Sequence, residues 1–571
     1  MNTLDLVLIT INSFLWQNTV LFLLLGTGIL FTFWSGFCQY RAITHGLHVV
    51  RGVYDEPDDP GAINHFQALS AALSATVGLG NIGGVALAIS LGGPGAVFWM
   101  WIVGFFGMAI KLTEVTLSML YRNTDDPENP HGGPMWVVSK AMAMRSPKLA
   151  GLGKGLGALF CVTLLVSAVT GGNMFQAWNV GIITESYFGI PSVVTGIILA
   201  IIVAMVIIGG IKRIGGVAGR LVPIMIVLYL AASIYVLVTH ISDIPEMFVL
   251  ILHAAFSPLE STGAFIGGTV GYAFLFGMKR ALFSNEAGQG SSPIAHSAAK
   301  TKEPVREGIV AALEPFIDTI VVCTLTALVI LVTGTWNRSA EAVFEAPVSI
   351  VTTADSQWSI ETHTAPTRTG SDWKAGDRVF VIIHGDPNPQ SGNDLHRLTG
   401  TLTASDTITW DTLTSSVKPQ LAGPDIYVSY VGAALTARAF DSALPGLGKW
   451  LVTIAVWLFA ISTLISWSYY GEQGIVYLAG ERAVLPYKIV FCSLTIVATW
   501  GFLKTDAQLD NLTGIGTGVM LFVNVPIMWF LGRQAMLAYK DYFARLESGQ
   551  MGPEHTPPSL EDLISGKDVE S

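Results

Sequence analysis

Charge is scarce in this chain. Asp, Glu, Lys and Arg make up 13% of its 571 residues, about half the share of an ordinary soluble domain. Cysteine is scarcer still: Cys38, Cys161, Cys323 and Cys492 stand singly, which excludes a disulfide framework and any cysteine-based metal spacing. No GxxxxGK[ST] loop is present to bind a nucleotide, and no GxSxG elbow or His/Cys spacing offers a nucleophile or a catalytic metal. Basic residues follow the loops rather than forming a patch, so nothing suggests nucleic acid. The chain does not read as an enzyme, and no organic cofactor is called for.

What is present is hydrophobic length. Half of the residues are apolar and the mean hydropathy is +0.54. Runs near 14–37, 66–92, 95–120, 156–186, 192–210, 215–240, 262–284, 307–334, 447–470, 487–503 and 512–535 are each about long enough to cross a ~30 Å hydrocarbon core as helices. Eleven spans are expected in a bilayer. The first lacks a basic start and a small-residue cleavage site, so it reads as a retained helix. Most of the 31 Lys and Arg fall in alternate loops, from Arg41 and Arg51, through Lys279, Arg280, Lys300, Lys302 and Arg306, to Arg533 and Lys540. The positive-inside rule then places the N-terminus outside and the C-terminus inside.

Residues 338–431 have a different pattern. Alternating stretches such as Arg378 to His384 (RVFVIIH), Arg397 to Leu402 and Thr407 to Trp410, separated by Gly-, Pro- and Asp-rich turns, read as half-buried strands of a small all-β domain on the outer side. It divides the membrane part into residues 1–337 and 432–545. The end of the chain begins as an amphipathic stretch, MLAYKDYFARLES, expected on the cytoplasmic membrane surface; residues 546–571 then read as disordered.

Within the apolar runs, glycine gathers where a helix would avoid it. Gly78, Gly80, Gly83 and Gly84 surround Asn81, with Ser74 and Thr76 one turn earlier. Each mid-helix glycine costs about 1 kcal/mol relative to alanine, so the cluster predicts backbone that opens. About 200 residues later Gly267, Gly268 and Gly271 surround Thr269. Two interrupted helices at matching places in two halves point to a transporter site between repeats. Five helices precede residue 240 and five follow it, after one extra helix, and an odd number per half forces the halves into inverted orientations. VTGGNMFQAWN adds Gly172 and the amide Gln176, and FAISTLISWSYYGEQG sets Ser462 beside Thr463 with Trp467 one turn on. Adjacent hydroxyls and freed carbonyls suit a monovalent cation. Lys111 and Glu114 read as a mutually neutralising pair and Glu286 as a residue of the cytoplasmic edge. No Asp/Glu/His relay is visible, so a zwitterion held by neutral backbone is expected.

These segments together resemble the alanine or glycine:cation symporter family. The residues that carry the resemblance are ATVGLGNIGGVA, GGPGAVFWMW, GGNMFQAWN, LFSNEAGQGSSPIAHSAAKTKEPVREG, FIDTIVVCTLTALVILVTG and STLISWSYYGE. The resemblance implies an all-α polytopic fold of eleven transmembrane helices, a five-plus-five inverted-repeat core of the LeuT type plus one N-terminal helix. It implies sodium-coupled symport of a small neutral amino acid, alanine or glycine, across the plasma (inner) membrane of a bacterium or archaeon. Thr76, Gly78, Gly80, Asn81, Gly172, Gln176, Gly268, Thr269 and Trp467 would surround the amino acid. Ser462 and Thr463, with the carbonyls of Ser74 and Val77, would hold sodium. A carrier of glutamine or a proton-coupled carrier is the alternative within this class, and an amino-acid sensor using the β-insert the alternative outside it. The departure is the insert: the family pattern runs from Val332–Trp336 almost directly to ALTARAF, whereas here about 95 residues intervene.

Overall fold

A computed structural model describes residues 3–369, 372–387, 393–404, 406–430, 432–446, 448–501, 506–551 and 557–565. The chain is mostly helical. Among the described residues, seven helical stretches are long and apolar enough to cross a membrane by length and composition. They are Thr10–Trp34, Gly95–Tyr121, Pro147–Phe188, Gly210–Thr239, Pro304–Val332, Gly448–Ala479 and Asn511–Glu547. The pair His65–Thr76 and Gly80–Gly92, bent by 50°, adds an eighth if counted as one span. The runs expected at 192–210, 262–284 and 487–503 form the shorter helices Ser192–Ile207, Val270–Asn285 and Val484–Ala498. The helices Pro134–Arg145, Ile244–Phe256 and Ala433–Ala443 were not foreseen. Ile244–Phe256 is too short to span, and it packs against Gly95–Tyr121.

Lys279 and Arg280, counted above with the basic loops, lie inside the helix Val270–Asn285. The end of the chain also differs from expectation. The amphipathic stretch continues the helix to Glu547, and its aromatics are buried on protein rather than laid on a membrane: Tyr539, Tyr542 and Phe543 are covered, with the Arg41 guanidinium 4.0 Å above the Phe543 ring. Part of the tail expected to be disordered forms the helix Leu560–Ser565, in which Leu563 is buried.

The insert is β-structured. Its strands are β1 (Ala342–Val343), β2 (Ile350–Ala354), β3 (Gln357–Ile360), β4 (His363–Thr364), β5 (Arg378–His384), β6 (Leu395–Leu402), β7 (Thr407–Trp410), β8 (Leu413–Thr414), β9 (Gln420–Leu421) and β10 (Asp425–Val428). One sheet runs β1-β10-β5-β6-β7-β4, with β9 also on β5; the other runs β2-β3-β8. Strand β5 pairs antiparallel with β6, Val381 opposite Leu398. Its alternation predicted one buried face, but both are covered. Val379, Val381 and Ile383 pack with Leu398, Ile408 and Ile426. On the other face Phe380 and Ile382 pack with Tyr427 and with Ala264 of the membrane part.

Arg397 fastens this contact. Its guanidinium donates to the carbonyls of Ser90 at 3.1 Å and Ala264 at 3.0 Å, and lies 4.7 Å from the Phe380 ring centre. Burial pushes its pKa down to about 10, so it stays charged at neutral pH. The insert therefore sits against the ends of the two segments that the glycine clusters single out.

Candidate functional site

The first break is built by its own sequence. Asn64 and Gln67 form a capping box that starts the helix His65–Thr76, satisfying two of its orphan N–H groups. Val77 leaves the helix at φ −75°, ψ 95°. The chain re-enters through a π turn, Gly80–Gly84, before the helix Val85–Gly92. Asn81 Oδ1 accepts the Gly78 N–H at 2.8 Å and so caps the restart. A Cβ on Gly78 would come within 2.9 Å of Thr463 Oγ1, and one on Gly83 within 3.0 Å of the Ala433 nitrogen. These two glycines are present because neighbouring segments approach the backbone.

Asn81 itself faces away from open space. Its amide donates to Asp318 Oδ1 at 2.6 Å and to Ser284 Oγ at 3.1 Å. Asp318 also accepts from Ser284 and Thr319, both at 2.8 Å. Asn81 thus ties the first break to the helix Val270–Asn285 and to the π turn Phe316–Cys323. It was expected to touch cargo; its amide is instead used in bracing the break.

The second break does not lie at Gly267–Gly271. Those residues lie at the start of the helix, not within it: Gly268 exchanges backbone hydrogen bonds with Leu259 at 2.9 Å, Thr269 is the N-cap, accepting the Tyr272 N–H at 3.3 Å, and Gly271 is in the first turn. Gly268 and Thr269 therefore do not line the cavity described below. The chain opens about twenty residues later. The helix Val270–Asn285 ends at Glu286, which takes a left-handed φ of 55°. Gly288 and Gly290 follow at φ 85° and 79°, and helix resumes at Ser292–His296. A left-handed glutamate is uncommon and stores strain. A third irregularity, the π turn Thr170–Met174, contains Gly172. A Cβ there would lie 2.3 Å from Trp467 Cγ, so Gly172 supports Trp467 and does not itself line the cavity.

Between these breaks lies a small cavity. Of the expected residues it brings together Thr76, Gly78, Gly80, Gln176, Thr463 and Trp467. Its walls also carry Glu286 and Gln289 from the second break, and Thr513 and Thr517 from the last long helix. These four were missed. The interruption NEAGQG and the Thr513/Thr517 spacing within an apolar run were the available signals. Glu286 corrects the expectation that the wall is neutral: a carboxylate faces the same space as the broken backbone.

Two buried oxygens at this cavity meet no hydrogen-bond partner among the described residues, Thr463 Oγ1 and Gln176 Oε1. The Gln176 amide nitrogen donates to the Gly171 carbonyl at 3.0 Å. An unpaired buried polar atom costs about 1–3 kcal/mol, so both oxygens are suited to a ligand that donates or is positive. Ser74 and Ser462 come together just beside Thr463. Ser74 Oγ donates to the Ser462 carbonyl at 2.7 Å, and Ser462 Oγ to the Phe459 carbonyl at 2.8 Å. Val77 closes the same corner at the end of its helix and is fully buried. Each hydroxyl keeps lone pairs, so this corner offers neutral oxygens only, the donor type a hard monovalent cation takes.

The expectation of no buried relay is also overturned. His65, His296, Glu307, Glu314, Lys111 and Glu114 are all buried and in contact. They come from segments far apart in sequence, which is why no local pattern displayed them.

A family model described as the sodium:alanine symporter family matches residues 1–360 and 405–556. Residues 361–404, holding β4 to β6, and 557–571 lie outside the match. The sodium/alanine symporter AgcS of Methanococcus maripaludis is 36% identical over 516 residues, 90% of this chain and 92% of its own. A putative sodium/proton-dependent alanine carrier protein, YrbD of Bacillus subtilis, is 31% identical, covering 96% of this chain and 95% of its own. A probable sodium/glutamine symporter of the same organism, GlnT, is 36% identical, covering 94% and 91%.

Proposed function

The chain belongs to the sodium:alanine symporter family and is a multi-pass secondary transporter; on that premise we propose that it carries a small neutral amino acid, alanine or glycine, inward with sodium. The observation that carries this reading is the cavity at the two breaks, where Thr76, Gly78, Gly80, Gln176, Thr463 and Trp467 meet Glu286. Freed N–H groups at the first break suit the cargo carboxylate, because a helix N-terminus carries about half a positive charge. Glu286 and the unpaired Gln176 Oε1 suit its ammonium. The flat wall of Trp467 limits the side chain that fits. Thr463, with Ser462 and the carbonyls of Ser74 and Val77, supplies the sodium corner.

Sodium entering that corner would bridge the first break to the long helix Gly448–Ala479 and favour a cavity open to the outside. Amino acid then binds, and movement of the broken helices against the rest releases both inside. In this reading the core is a five-plus-five inverted repeat with an N-terminal helix, eleven spans in all. The N-terminus and the β-insert lie outside and the C-terminus in the cytoplasm.

Competition tests the cargo. Alanine and glycine should displace bound radiolabelled alanine from purified protein in sodium, and glutamine should do so much less well. Displacement by glutamine at lower concentration than alanine would move the assignment to the larger amide, in line with the polar wall of Gln289, Thr513 and Thr517.

A further inference from the structure

Transport as described leaves a buried chain of titratable side chains unused. Glu307 Oε2 meets His65 Nδ1, and Glu307 Oε1 lies 2.5 Å from His296 Nδ1. His296 Nε2 is 2.6 Å from Glu314 Oε1. Ser292 Oγ donates to that same Glu314 oxygen at 2.6 Å, and the hydroxyl of its neighbour Ser291 donates to Glu286 Oε2. At the far end His65 Nε2 is buried, has no hydrogen-bond partner among the described residues, and lies 4.0 Å from Asp55, whose side chain is 40% exposed. The series runs by contact from Asp55 at the surface to Ser292, and Ser291, the preceding residue in the chain, contacts Glu286 of the cavity wall; three separate segments contribute.

Its chemistry requires a mobile positive charge. A neutral imidazole donates from one ring nitrogen only, yet both nitrogens of His296 face carboxylate oxygens. Either the imidazole or one of those carboxyls therefore holds an additional proton. The surroundings do not supply enough fixed cations. Lys111 Nζ lies 3.3 Å from Glu314 and 3.8 Å from Glu114, and Asn524 donates to Glu114 at 2.8 Å. Arg122 faces Glu307 but also Asp59. Lys111, Glu314 and Asp318 face Glu286, and the Tyr470 phenol faces Glu286, Glu314 and Glu114. Counting Lys111, Arg122 and both imidazoles as charged still leaves them one short of five of the buried carboxylates, Glu114, Glu286, Glu307, Glu314 and Asp318, with the buried Asp59 also facing Arg122. Among the described residues no group of three His, Cys, Asp or Glu is placed to hold a metal ion, so protons are the fitting currency for this chain.

Resting on the symport reading above, we propose that the empty carrier returns with a proton on Glu286, drawn from the cytoplasm along Asp55, His65, Glu307, His296, Glu314, Ser292 and Ser291. Sodium and the cargo ammonium balance Glu286 on the inward leg. When they leave, a proton enters at His65; His65, Glu307 and His296 each accept at one atom and release from the other, and Glu314, protonated at Oε1, passes it to Glu286 through Ser292 and Ser291 once their hydroxyls turn. With the cavity open outward again, the next sodium and ammonium displace it to the external water. Protons thus leave as amino acid enters, and nothing else changes bonding. Without this proton, an unbalanced carboxylate at membrane depth would slow the return by about a hundred-fold.

Proteoliposomes with a trapped pH dye, an inward sodium gradient and a clamped membrane potential decide the matter. Alanine should raise the lumenal pH as it is taken up. His296→Gln and His65→Gln should slow net uptake by at least about ten-fold, while exchange of internal for external alanine, which bypasses the empty return, stays close to wild type. Uptake with no pH change, or with acidification, overturns the proposal. So does an equal fall of net uptake and exchange in His65→Gln, the variant that stands if His296→Gln fails to fold. Absence of any alanine or glycine uptake by the unmodified protein would remove the symport reading, and this proposal with it.

Discussion

The Thr463 hydroxyl is a buried oxygen without a hydrogen-bond partner among the described residues, at the mouth of the first break. If it serves sodium, Thr463→Val has a two-part signature. The sodium-free protein should melt no lower than wild type, because a costly unpaired group is gone. The rise in Tm that sodium produces should vanish, which at 100-fold over Kd corresponds to about 2.7 kcal/mol. Differential scanning fluorimetry with sodium against potassium reads both parts; an unchanged sodium shift would remove Thr463 from the ion site. Asn81 behaves oppositely. Asn81→Ala orphans the Gly78 N–H and takes a donor from Asp318, about 1–3 kcal/mol for each buried group. It should lower Tm in either salt, and equal melting would contradict its bracing role.

At the scale of elements, glycine patterns showed that helices break but not always where. At the first break the pattern was sufficient, because the glycines, the capping Asn81 and the cavity lie within one turn of each other. At the second it misled. Gly267 and Gly268 serve the loop that enters the helix and Gly271 its first turn, whereas the opening depends on Gly288, Gly290 and the left-handed Glu286. Composition cannot distinguish a glycine needed for a turn outside the helix from one needed inside. The π turn Thr170–Met174 offers a test of element fit. A Cβ at Gly172 overlaps Trp467, and overpacking of this kind costs about 1–3 kcal/mol. Gly172→Ala should therefore displace Trp467, quench or shift its fluorescence response to alanine, and weaken alanine binding. The insert was legible as strands, yet its second buried face on β5 was not, since that face is covered by residues around Ala264. Arg397→Ala leaves the carbonyls of Ser90 and Ala264 without their charged donor, about 1.5–3 kcal/mol for each such bond. Hydrogen exchange in β5 and β6 and around 257–269 should quicken; unchanged protection would show that the contact does not hold the insert.

Across the whole molecule, membrane class and family were readable because they depend on composition and on long local motifs. The relay was not, because contacting members such as His65 and Glu307 are 242 positions apart and meet only after folding. Scarcity of charge in the sequence became concentration of charge in the structure. The central claim is that sodium and amino acid share the space between the two breaks and move together. The most direct measurement is uptake of radiolabelled alanine into proteoliposomes under an inward sodium gradient, against an equal inward potassium gradient. Accumulation above the external concentration with sodium alone, lost in Thr463→Val, is the predicted result. Equal uptake under both gradients, or none by folded protein, would contradict the account.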